Sequence, residues 1–163
     1  MPRLSAFAVL LFSALLLFSC DENDQFEPDY SQVPDEPDVS DIEPHITRGG
    51  VEIYIIEEGD GFEVAERDVL AARFTMRSED GTIHDSTWEG GRTGTQNINM
   101  QEIIDGVFEG VLDLRENGER INPMREGGER LLVIPSELGY DGSGGELEGE
   151  TLRFHIELDH IID

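Results

Sequence analysis

The stretch Arg125–Tyr140, REGGERLLVIPSELGY, decides how the rest of the chain is read. Gly127-Gly128 supplies a tight turn, because glycine accepts positive φ without steric cost. Leu131 to Ile134 is a continuous apolar run with Val and Ile, which suits a strand buried on both faces. Pro135 ends the ladder, since it has no N–H to donate. Tyr140 follows in a glycine-rich setting (Gly139, Gly142, Gly144, Gly145), where its ring and hydroxyl can face a ligand. The stretch is therefore a turn, a buried strand and a displayed aromatic.

Other extended segments surround it. Val51, Ile53 and Ile55 alternate with Glu52, Tyr54 and Ile56 ahead of the turn Glu58-Gly59-Asp60-Gly61. Asp68–Met76 is a second strand, closed by the turn Glu79-Asp80-Gly81. Thr82–Ser86 and Asn97–Met100 are two shorter ones. At the end, Leu152, Phe154, Ile156 and Leu158 alternate with Arg153, His155, Glu157 and Asp159, so Thr151–Ile162 is a closing strand. One helix is expected, over Gln101–Arg115, where Ile103, Ile104, Val107, Phe108, Val111, Leu112 and Leu114 recur at three- and four-residue spacings. Gly106 and Gly110 each weaken it by up to about 1 kcal/mol relative to alanine, so it must be held by packing. Strands in short turns around one helix give an α+β fold, a twisted and mainly antiparallel sheet wrapped around one short helix. Leu114–Arg120 nearly repeats Met124–Arg130 ten residues later, which predicts an insertion near residues 115–124 that lengthens one connection.

The N-terminal part has a different character. Arg3 precedes the apolar run Leu4–Phe18, which suits the core of a signal peptide over residues 1–19 better than a membrane span of about 20 residues. Leu17-Phe18-Ser19-Cys20 resembles a bacterial lipobox. That resemblance implies cleavage before Cys20 and acylation of its thiol and new amino group, which would hold the protein on a membrane. Cys20 is the one cysteine, so no intramolecular disulfide forms. Residues 20–48 read as an extended, acidic, proline-containing tether, because so few apolar groups do not offset the entropy of ordering it. The folded domain is expected over residues 49–163.

Composition narrows the partners. The 163 residues carry 37 Asp and Glu against 11 basic residues, for a net charge of −26. Every basic residue is arginine. Nucleic acid is excluded as a partner, since little here neutralises a run of phosphates. The acidity fits either a solubilising surface or adaptation to high salt, where cations screen self-repulsion. His45, His155 and His160 are scattered without ligand spacing, so no metal is assigned.

Five collinear pieces of residues 49–163 resemble the FKBP-type peptidyl-prolyl cis-trans isomerases: GVEIYIIEEGDG, SEDGTIHDST, EIIDGVFEG, MREGGERLLVIPSELGY and TLRFHIELDHI. The resemblance implies rotation about the bond preceding proline, against a barrier of roughly 18–20 kcal/mol, with no cofactor. It implies that Asp85 is the carboxylate facing the bound peptide and that the Tyr140 hydroxyl bonds a substrate carbonyl. Ile103, Ile104 and Phe154 would line the pocket; periodicity alone makes all three ordinary core. Four positions depart from the family. Phe74 stands where tyrosine is frequent, His84 and Ile98 replace pocket aromatics, and Val107 occupies the place of the tryptophan floor. His84 adds a titratable ring. The loop after Tyr140 is shorter than usual. The partners implied are proline-containing peptides or unfolded exported proteins at the bacterial cell envelope, facing the periplasm or the cell surface. Two functions follow: an isomerase assisting the folding of exported proteins, or a non-catalytic peptide-binding module that reuses an altered pocket.

Overall fold

The computed structural model describes residues 27–162. The signal segment and Cys20 lie outside the described residues. Seven strands form one sheet: β1 (His45–Ile46), β2 (Glu52–Glu57), β3 (Val69–Ser78), β4 (Ile83–Ser86), β5 (Gln96–Asn99), β6 (Glu129–Ile134) and β7 (Leu152–Ile162). Their order is β1-β2-β6-β7-β3-β4, with β5 also on β3, and every pairing is antiparallel. The central strand of the opening stretch, β6, is flanked on both edges. Gly127 has φ +78° in the turn that precedes it.

Alternation sorts the two faces. Leu70, Ala72, Met76, Leu132, Ile134, Leu152, Phe154, Ile156 and Leu158 are buried on the concave face, against the single helix α1 (Asp105–Leu112). The helix is shorter than the expected Gln101–Arg115. Ile104 is extended (φ −60°, ψ 148°) and caps its start, while Asp113 is left-handed (φ 48°) and stops it. The apolar spacing ran on past both ends because Ile103, Ile104 and Leu114 pack against the core from outside the helix. The near-repeat forms a small hairpin, in which Leu114 bridges Arg120 and the Arg115 N–H donates to the Glu119 carbonyl at 3.0 Å.

The N-terminal stretch departs most from its sequence reading. From Glu27 it is laid against the domain as a strap and ends in β1, which pairs with β2. Glu36 accepts two bonds from Arg153 Nε, at 2.8 and 2.9 Å, and the Pro34 carbonyl accepts from Arg77 Nη2 at 2.7 Å. Arg77 and Arg153 alternate with core residues of β3 and β7, so they stand on the outer face. Composition reported the strap's own poor apolar content. It did not report that arginines on the sheet await its carboxylates and carbonyls.

Candidate functional site

A cleft of about 280 Å³ opens at the β3–β4–β5 side of the sheet. It is lined by Phe74, Met76, Asp85, Gln96, Asn97, Ile98, Asn99, Glu102, Ile103, Tyr140 and Phe154. Its floor is a stacked pair, Phe74 and Phe154, with ring centroids 5.1 Å apart and planes 15° from parallel. The register explains the pair. Met76 lies opposite Phe154 and Phe74 opposite Ile156, so the two rings are diagonal neighbours on one face.

Polar groups come from the rim. Asp85 lies opposite Met76 on β4 and shares its side of the sheet. Its carboxylate is exposed at the mouth, yet the surrounding protein removes enough water to raise its pKa above the usual 3.8; Glu89 adds to the rise, while the Ser86 N–H and Arg92 oppose it. Tyr140 follows the short helical turn Ser136–Leu138, and its backbone is held by Asp141 N–H to Ser136 O and Ser143 N–H to Tyr140 O. Its ring packs on the core edge.

The structure brings together six of the residues expected at the site: Asp85, Tyr140, Phe74, Ile98, Ile103 and Phe154. Three stand elsewhere. Ile104 serves as the helix cap, its carbonyl taking the Val107 and Phe108 N–H groups. Val107 is fully buried in the core below and forms no floor; the aromatic pair occupies that role. His84 is one residue out of phase with Asp85 along β4, and its Nε2 meets Ser78 Oγ at 3.1 Å outside the cleft. Trp88 stacks under Arg73, whose guanidinium is 5.9 Å from the ring centroid.

Met76, Gln96, Asn97, Asn99 and Glu102 line the cleft without having been singled out. Met76 was legible, since it shares the β3 phase of Phe74. The β5 amides were not, because consecutive residues of β5 line the cleft only through its placement beside β3, which the sequence does not encode.

The fold is an antiparallel sheet holding one short helix, and its aromatic cleft is rimmed by a carboxylate and a tyrosine. A family model for the FKBP-type peptidyl-prolyl cis-trans isomerases matches residues 61–159, and the chain belongs to that family. It is 34% identical over 113 residues to the FK506-binding protein of Neisseria meningitidis serogroup B, covering 68% of this chain and 94% of that one. It is 33% identical over 93 residues to photosynthetic NDH subunit of lumenal location 4 of Arabidopsis thaliana, covering 57% of this chain but only 41% of that one. The solved structure of AtFKBP13 superposes with a TM-score of 0.56 at 28% identity, over 71% of this chain and 96% of that chain.

Proposed function

We propose that the chain is a peptidyl-prolyl cis-trans isomerase that acts on extended X-Pro segments of exported proteins. The observation carrying this is the apolar floor of Phe74 and Phe154 beneath the Asp85 and Tyr140 rim. The planar amide is polar through resonance, and that resonance is lost as the bond twists toward 90°. A cleft that strips water from the peptide therefore disfavours the planar form more than the twisted one. At about 280 Å³ it holds a prolyl ring and the group before it. Tyr140 donates to a substrate carbonyl and fixes the peptide, while Asp85 faces the twisting amide with its negative charge.

A proline-limited refolding assay tests this. The chain from Asp21 onward accelerates the slow phase, and Tyr140→Phe lowers kcat/KM by roughly three- to tenfold, the worth of one hydrogen bond. The acid limb gives a second check. Asp85 takes up its proton above pH 3.8, so kcat/KM declines on acidification with a midpoint above that value. In Asp85→Asn the limb disappears. The stability linkage has the opposite sign: with the folded pKa raised, Asp85 favours the native state at low pH and loses that contribution as pH rises through the folded value.

A non-catalytic peptide-binding module is the second reading. Val107 lies away from the cleft and the indole of Trp88 stacks on Arg73, so no tryptophan lines the cleft. One relative is named as a subunit of photosynthetic NDH. Binding of a prolyl peptide without acceleration of refolding would decide for it.

The cell envelope, reached through a lipid on Cys20, is the location this reading assigns. Its support is the apolar run Leu4–Phe18 ahead of Leu17-Phe18-Ser19-Cys20. The Asp29 carbonyl is bonded to the Gly90 N–H, and the nine residues from Cys20 to Asp29 span at most about 32 Å, which bounds how far that point of the domain can stand from a bilayer. Intact mass after bacterial expression reports a diacylated or triacylated Cys20 start; an unprocessed Met1 refutes the anchor.

A further inference from the structure

The strand that carries Asp85 is held by its own sheet on one side only, where β3 pairs with it. β4 has four residues, lies at the edge, and pairs with β3 across a register shift between Met76 and Arg77. A short edge strand next to a bulge has unpaired backbone groups on its outer side and little to fix them. The strap supplies the missing partners. Tyr30 donates its hydroxyl to the His84 carbonyl at 3.0 Å. That carbonyl belongs to the peptide plane whose other end is the Asp85 N–H. Three residues after the strand, the short turn Glu89–Gly91 begins, and the Gly90 N–H donates to the Asp29 carbonyl at 2.8 Å. Asp29 is itself held in a tight turn, its carboxylate accepting the Ser31 N–H at 3.0 Å, and the Tyr30 carbonyl accepts from the Val33 N–H at 3.1 Å. Two consecutive strap residues thus pin both ends of the segment 84–90.

We propose that Tyr30 is a positioning residue for Asp85: through its bond to the His84 carbonyl, the strap fixes the peptide plane that aims the Asp85 carboxylate into the cleft. The inference rests on the isomerase reading of that cleft. Tyr30 is part-buried, and its hydroxyl is held protonated by desolvation, with Asp85 and Glu89 adding to the effect, which places the phenol in the field of the carboxylate it serves. The strap lies wholly outside residues 61–159 matched by the family model, so this support belongs to the chain beyond the shared domain.

Tyr30→Phe in the full-length chain, purified in mild detergent, removes the hydroxyl and keeps the ring, so the fold survives. Amide exchange of Asp85 through Gly90 then quickens roughly tenfold while β6 and β7 keep their protection, as expected for local loosening. In the refolding assay kcat/KM falls roughly three- to tenfold, the worth of one hydrogen bond. With Asp85→Ala already in place, Tyr30→Phe produces no further loss, because its only effect on rate passes through Asp85. A merely structural bond would lower activity equally in both backgrounds, and that result overturns the proposal. Unchanged exchange across 84–90 overturns it as well. A parent chain without isomerase activity refutes the isomerase reading instead and leaves the exchange result to decide for or against Tyr30.

Discussion

Arg130→Met lowers the stability of the domain by about 3–5 kcal/mol, the loss expected when a buried charged donor is removed and its acceptors are left behind. Arg130 is 1% exposed, the largest fully buried side chain among the described residues. Its Nη1 donates to the Gly110 carbonyl at 2.9 Å and to Val111 at 3.3 Å, and its Nη2 donates to Asn122 at 2.6 Å. The first two are carbonyls in the last turn of α1, which lack helical partners and carry the negative end of the helix dipole. Burial lowers the guanidinium pKa to about 10, with Asp113 and Glu58 opposing, so the group is charged at neutral pH. Methionine fills comparable volume without donating, which separates lost hydrogen bonds from an empty cavity. Arg130→Lys falls between, since one ammonium group does not span the helix end and the Asn122 loop as the planar fork does. Urea unfolding gives the number. A loss below about 1 kcal/mol for the methionine variant would mean that water reaches those carbonyls.

Arg130 also shows where the sequence was legible and where it was not. In Met124–Arg130 it reads as one more charge of a glycine turn copied from Leu114–Arg120. The strand's period nevertheless places it with Leu132 and Ile134 on the concave face, and that face is the core. The strands as segments, the α+β class and the packing role of α1 were legible because alternation and helical spacing report burial directly. The helix ends were not. Ile103 and Ile104 are apolar because they wall the cleft and cap the helix, and Leu114 because it packs on the core at the root of an exposed hairpin, so one spacing covers three structural roles. Tyr140, Asp85 and Phe154 line one cleft because β4 and β7 both pair with β3 and the loop after β6 reaches the same side, which spacing along the chain does not encode; the family resemblance supplied them. The strap was hidden because its order comes from Arg77 and Arg153, which are distant in sequence and lie on the sheet's outer face.

Gly106→Ala is expected to lower stability by about 2 kcal/mol and kcat/KM by ten- to a hundredfold, the range that a misplacement of about 1 Å produces. Intrinsic propensity has the opposite sign, since alanine in a helix is favoured over glycine by up to about 1 kcal/mol. Contact decides. A Cβ built on Gly106 falls 2.1 Å from Ile134 Cγ2 and 3.1 Å from the Leu138 carbonyl oxygen, whereas carbon atoms rest near 3.5–4.0 Å. Relief requires Ile134 to leave its place in β6 or the helix start to back away from the sheet. The second motion carries Ile104 and Ile103 with it, and Ile103 walls the cleft above the Phe74–Phe154 floor. Fold and site are joined at this glycine, so activity falls further than stability alone would dictate. Ile134→Ala separates the two contributions. It destabilises the parent by opening a cavity, but in the Gly106→Ala background it makes room for the new methyl. The double variant is therefore more stable than the sum of the single losses predicts, and it recovers part of the lost kcat/KM. Strict additivity in urea unfolding, with no recovery in the refolding assay, would show that the helix does not owe its distance from β6 to this contact.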